Sequence, residues 1–139
     1  MVRFRNVSAY RGVTTSEAPD RKIAGGPCYP LGLVKKIAGK ENGVLLVTKQ
    51  SITDASDLGV DASGIGDLIL ELTEAGYIAS EWCETTPGYW AACDGYQLDR
   101  NEFLDAISRF VTIQYYLKFY INTAETILMM VSNHLPRVR

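Results

Sequence analysis

Apolar residues recur at helical spacing through the first half of the chain and give way to β-branched and aromatic runs in the second. After Pro30, a residue suited to a first helical turn, Leu33, Val34, Ile37 and Ala38 form a short apolar stripe that Gly39 can stop. Lys35, Lys36 and Lys40 fall on its solvent side. Thr48 is the expected N-cap of a second helix running to about Leu58, where Gly59 supplies the stop, and Ile52 and Ala55 belong to its buried face. The clearest helix follows Asp61 and Ser63. There Ile65, Leu68, Ile69 and Leu72 fall on one face, Asp67, Glu71 and Glu74 face water, and Gly76 is placed just past the end. Gly64 and Gly66 do not follow a strand, as a dinucleotide-binding loop requires, and read instead as close-packing positions.

From Tyr77 the pattern becomes extended. Residues 77–82 predict a strand, Pro87-Gly88 the turn, and residues 89–93 its partner. Asp99 with Glu102 three residues later has the form of a capping box, and Phe103, Ile107 and Phe110 then predict another helical turn or two. Residues 111–121 and 127–132, joined through Asn122-Thr123-Ala124, carry the strongest strand signal of the chain. Residues 1–29 mix Arg3, Arg5, Arg11, Arg21 and Lys22 with Gly25-Gly26-Pro27 and show no period. They read as an N-terminal arm or short strand and loop, leaving 30–139 as one domain. Helices first and strands afterwards predict an α+β class, with three or four short N-terminal helices on an antiparallel sheet of four to six strands.

The chain has 139 residues and is 47% hydrophobic, enough for one ordinary core without a metal or disulfide staple. Cys28, Cys83 and Cys93 are odd in number and lack metal-ligand spacing, so reduced thiols are expected, with no metal and no cofactor. No apolar stretch approaches the ~18 residues of a membrane span, and a cytoplasmic protein is expected. The net charge of −2 conceals an uneven distribution: residues 1–49 carry +6, residues 50–99 carry −10 with no Lys or Arg, and residues 100–139 carry +2. Phosphate backbones draw affinity from Lys and Arg, so any RNA would be held by the two ends and not by the acidic middle.

Several segments, taken in order, resemble the MqsR toxins of bacterial toxin–antitoxin modules, a family with a RelE-like ribonuclease fold. They are Leu33-Val34-Lys35-Lys36, the run from Asp54 to Val60 ahead of a helix ending Leu72-Thr73-Glu74, Trp90 in a strand, Tyr116-Leu117-Lys118, and residues 127–132. Residues 97–113 are longer than the family usually has there. The resemblance implies a growth-inhibiting, metal-independent endoribonuclease (an mRNA interferase) of a type II-like system, acting on mRNA or at the ribosome and neutralised by a cognate antitoxin. It places the family's tyrosine on Tyr116 and its C-terminal lysine on His134, the single histidine. The family's other lysine falls on Ala79 and its glutamine on Ala91, and neither alanine can do acid–base chemistry. The catalytic candidates are therefore Tyr116, His134 and Lys118, with Lys118 or Arg137 supplying positive charge to the phosphate.

A competing constellation overlaps the same strand. Gln114, Leu117 and Phe119 spell Q-x-x-L-x-F, which is similar to peptides that dock on the bacterial replication sliding clamp, as in clamp-binding toxins of the SocB type. That string implies a non-catalytic toxin blocking DNA replication. On a strand, however, Leu117 and Phe119 share a face with Ile113, Tyr115 and Ile121, which is also what a core-facing strand needs. A third reading is an inactive family member serving as an interaction domain.

Overall fold

A computed structural model describes residues 5–12 and 21–134. The described chain is α+β, with three helices and one mixed sheet of seven strands. The helices are α1 (Leu31–Ala38), α2 (Lys49–Leu58) and α3 (Ala62–Leu70). The strands are β1 (Arg5–Asn6), β2 (Lys22–Ile23), β3 (Val44–Leu46), β4 (Tyr77–Thr86), β5 (Tyr89–Leu104), β6 (Arg109–Ile121) and β7 (Leu128–His134). The sheet order is β2-β4-β5-β6-β7-β3, with β1 paired to β5. The expected purely antiparallel sheet is corrected on two counts, since β1–β5 and β3–β7 are parallel pairs. The helices do not lead the chain either. Two short strands precede them, so part of the predicted arm, residues 5–9 and 21–29, is built into the sheet and its cover. Residues 1–4, 13–20 and 135–139, with Arg3 and Arg137, lie outside the described residues.

The helix boundaries follow local chemistry. Thr48 Oγ1 accepts from Ser51 N at 3.0 Å while Ser51 Oγ accepts from Thr48 N at 3.1 Å, a reciprocal capping box. Gly59 ends α2 at φ 72°, a left-handed conformation that costs glycine little. Asp61 Oδ1 accepts from Gly64 N at 2.8 Å and starts α3. Ile65, Leu68, Ile69 and Leu72 are buried as expected, and so is Ala55, but Ile52 is 54% exposed and not part of the buried face.

The largest departure lies between β5 and β6. The predicted capping box at Asp99 and helix through Phe103 and Phe110 do not form. Instead β5 continues to Leu104 and pairs with β6 over eleven positions, from Asp94↔Phe119 to Leu104↔Arg109. β4 leaves this ladder at Tyr96 and β7 joins it only at Tyr116, so beyond them the pair runs on as a two-stranded ribbon. Arg100 ties the ribbon to the end of α3 through Glu71 at 3.0 Å. At its tip Phe103 and Phe110 stack edge-on with centroids 5.2 Å apart, and both stay exposed.

The helices cover one face of the sheet. Tyr96, Leu98, Leu117, Phe119, Leu128 and Met130 pack there against Val34, Ile37, Ile65, Ile69 and Leu72. A second cluster, Trp82, Trp90 and Ala92, is covered by Tyr10, Ile23 and Cys28. In the folded chain the two apolar anchors of the clamp-like string are part of this packing. Leu117 and Phe119 are both 0% exposed where β6 lies between β5 and β7, whereas Gln114 is exposed in the two-stranded ribbon and pairs with β5 alone.

Candidate functional site

In an antiparallel ladder, directly opposed residues share a face and successive residues alternate. The registers Ala79↔Gly95, Glu81↔Cys93 and Cys83↔Ala91 therefore put those six positions on one face of β4 and β5. Gly95↔Lys118 and Gln97↔Tyr116 extend the same face onto β6. It is the face opposite the one that Leu117 and Phe119 bury under the helices.

Gly95 is the floor of this site. A Cβ there would sit 2.8 Å from the Tyr116 hydroxyl and 3.4 Å from the ring carbon that bears it, closer than a side chain tolerates, so the tyrosine ring leans over bare backbone. The same gap lets Lys118, on β6, cross β5 and form an ion pair with Glu81 on β4. That reach spans two strand spacings, roughly 9.6 Å in total.

The side chains around Gly95 perturb one another. Burial works against the Lys118 charge, but the hydrogen bond to Glu81 and the neighbouring Cys83 and Tyr116 outweigh it and raise the ammonium pKa. Burial raises the Tyr116 pKa, with Lys118 pulling the other way, so the phenol keeps its proton at neutral pH and acts as a donor. Lys118 has three N–H donors and gives one to Glu81, which leaves the ammonium suited to bridging a carboxylate and an incoming anion.

Of the sequence candidates, Tyr116 and Lys118 thus come together, both half-buried, on the sheet face away from the helices. The backbone of His134 is the register partner of Tyr116, while its side chain lies outside the described residues. The two positions that the family resemblance left empty differ in kind. Ala79 is exposed at the rim, whereas Ala91 is 0% exposed, so a polar side chain at 91 would be sunk in the core. Glu81, Cys83 and Gly95 were missed by reading along the chain because only the β4–β5–β6 register joins them to Tyr116 and Lys118.

The acidic middle is also resolved by the fold. Asp57, Asp61, Asp67, Glu71 and Glu74 are exposed on α2, α3 and the turn after α3, in the helix layer behind the sheet. Among the described residues there is no cluster of three or more metal-ligating side chains and no helix long and apolar enough to cross a membrane. No family model, curated protein or solved structure matches the chain.

Proposed function

We propose that this chain is a RelE/MqsR-like toxin that cleaves RNA without a metal ion on the sheet face away from the helices, by transesterification at the ribose 2′-hydroxyl. The observation that carries the reading is the convergence of Tyr116, Lys118 and Glu81 over Gly95. Metal-free cleavage needs a base for the 2′-hydroxyl, a donor for the leaving 5′-oxygen and a cation for the charge that builds on phosphate. Glu81 takes the first role, which the alanines at 79 and 91 had left unfilled. Lys118 takes the third. Tyr116, held protonated, and His134, whose backbone is its register partner, are the proton donors.

In this scheme the Glu81 carboxylate removes the 2′-proton and the 2′-oxygen attacks phosphorus. The 5′-oxygen leaves with a proton from Tyr116 or His134, producing a 2′,3′-cyclic phosphate. The cognate antitoxin of such a toxin is the partner the reading requires, and the protein acts in the cytoplasm on mRNA. The clamp-binding alternative is weaker, because its anchors Leu117 and Phe119 would have to leave the core.

Growth and total mRNA after induced expression test the reading. Wild type is expected to arrest growth with loss of mRNA. Tyr116→Phe, which keeps the ring over Gly95, is expected to relieve the arrest by lowering cleavage about a hundredfold. Arrest of undiminished strength in both Tyr116→Phe and His134→Ala would remove this face as the active site.

A further inference from the structure

β6 changes its neighbours part-way along. From Tyr116 onward it lies between β5 and β7, but residues 109–115 pair with β5 alone, and among the described residues no other strand pairs with them. In an antiparallel ladder every second residue turns its backbone N–H and C=O away from a given neighbour, so this stretch offers a row of donors and acceptors along its outer side. β5 has an outer edge of its own at residues 97–104, beyond the point where β4 leaves it.

The two edges differ in chemistry. The β5 edge carries Asp99, Arg100 and Glu102, with Arg100 tied to Glu71 at 3.0 Å, and charges of this kind are how natural sheets discourage edge pairing. The β6 edge has one charge, Arg109, no proline or glycine, and β-branched or aromatic side chains at five of its seven positions. That is the composition of a strand suited to pairing with another strand. Phe110 is 63% exposed, Thr112 and Gln114 are exposed, and Val111, Ile113 and Tyr115 are half-buried.

We propose that residues 109–115 of β6 pair antiparallel, about a two-fold axis at Thr112, with the same residues of a second copy of this chain.

The occupant is a second copy because the edge complements itself. In this register Thr112 opposes Thr112 of the second copy, Val111 opposes Ile113, Phe110 opposes Gln114 and Arg109 opposes Tyr115. Opposed threonines and opposed β-branched residues are favourable cross-strand pairs, and Val111 and Ile113 of both copies form one apolar patch on the face that also carries Leu117. Charge is matched as well. The Tyr115 hydroxyl donates to the Glu102 carboxylate on β5, so Arg109 of the second copy comes beside an anion. The two Arg109 side chains fall at opposite ends of the paired stretch, roughly 20 Å apart, whereas parallel pairing in register would set them side by side. The second copy's strand ends opposite Tyr115, so it fills the row that β7 leaves vacant beyond Tyr116. A two-fold contact of this kind closes at two copies, and the charged β5 edges stay outside it. Opposed residues share a face, so both Tyr116 and Lys118 pairs come out on the same side of one continuous sheet.

The pairing does not rest on the ribonuclease reading, and its test uses no RNA. Sedimentation equilibrium of the full chain is expected to show wild type passing from monomer to dimer between micromolar and millimolar concentration. Thr112→Lys, a change at an exposed position that sets two like charges face to face on the axis, is expected to raise the dimer dissociation constant at least about tenfold with the unfolding midpoint held. Thr112→Cys is expected to form a disulfide with its own copy under mild oxidation, because opposed strand residues have Cα atoms about 4.5–5.5 Å apart, within disulfide reach. Asn101→Cys, on the β5 edge, is expected to stay unlinked, and wild type, with Cys28, Cys83 and Cys93, sets the background. A wild type that stays monomeric across that range would overturn the proposal, and slow amide exchange at residues 109–115 in such a monomer would assign the edge to another segment of the same chain. A dimer that forms equally in Thr112→Lys, or that links through Asn101→Cys and not through Thr112→Cys, would overturn it by placing the interface elsewhere.

Discussion

Asp94→Ala is expected to destabilise the protein by about 3–5 kcal/mol, a large share of the 5–15 kcal/mol that holds a typical domain folded. The Asp94 carboxylate is 0% exposed and accepts from Cys28 N at 2.9 Å, Tyr29 N at 3.1 Å and Ser80 Oγ at 2.6 Å. It pins the segment leading into α1 onto the helix-side face of the sheet, next to the Trp82 and Trp90 cluster. Truncation leaves the part-buried Cys28 N–H, the buried Tyr29 N–H and the buried Ser80 hydroxyl without this acceptor, at about 1–3 kcal/mol for each buried group and less for the part-buried one. Asp94→Asn keeps one acceptor oxygen and is expected to lose roughly half as much. Urea titration gives the free energies. Tryptophan fluorescence should shift to the red as the residue 21–30 segment, with Ile23 and Cys28, lifts from Trp82 and Trp90. A cost under about 1 kcal/mol for the alanine would show that these hydrogen bonds do not anchor the segment.

Glu81→Gln is expected to lower RNA cleavage by two to three orders of magnitude at nearly unchanged stability. A glutamine fills the same space and still accepts from Lys118, so the ion pair becomes a neutral–charged hydrogen bond, but it cannot take a proton from a 2′-hydroxyl. Glu81 is partly exposed, with 38% of its side chain accessible, and the pair with Lys118 contributes little to folding at such a site. The signature is therefore a fall in turnover with the unfolding midpoint held. A variant that loses activity and stability together would assign Glu81 a structural role.

How far the chain could be read from its sequence depended on whether the information was local. Thr48, Gly59 and Asp61 act within one helical turn of themselves, and both ends of α2 and the start of α3 fall where those residues put them, whereas α3 stops at Leu70, short of the expected Gly76, which lies in a separate 3-10 turn. Asp99 and Glu102 carry an equally good local signal for a helix, and it was overridden. Eleven register pairs with β6, a strand rich in β-branched and aromatic residues, outweigh one capping box in a segment with weak helix propensity. The parallel pairing of β3 with β7 was invisible for a related reason, since a three-residue strand leaves almost no periodicity. The site shows the same division. Tyr116 and Lys118 sit two apart on a strand that the sequence predicts, so their shared face could be read from it. Glu81 comes from another strand, and Gly95 matters for the side chain it lacks, so their roles appear only when β4, β5 and β6 are in register.

The most direct test of the central claim is the end chemistry of RNA incubated with the purified chain in excess chelator. The account predicts cleavage that persists without divalent metal, leaves 2′,3′-cyclic phosphate and 5′-hydroxyl ends, and falls at least a hundredfold in Glu81→Gln. Intact RNA with the wild-type chain, or equal cleavage by wild type and Glu81→Gln, would contradict it.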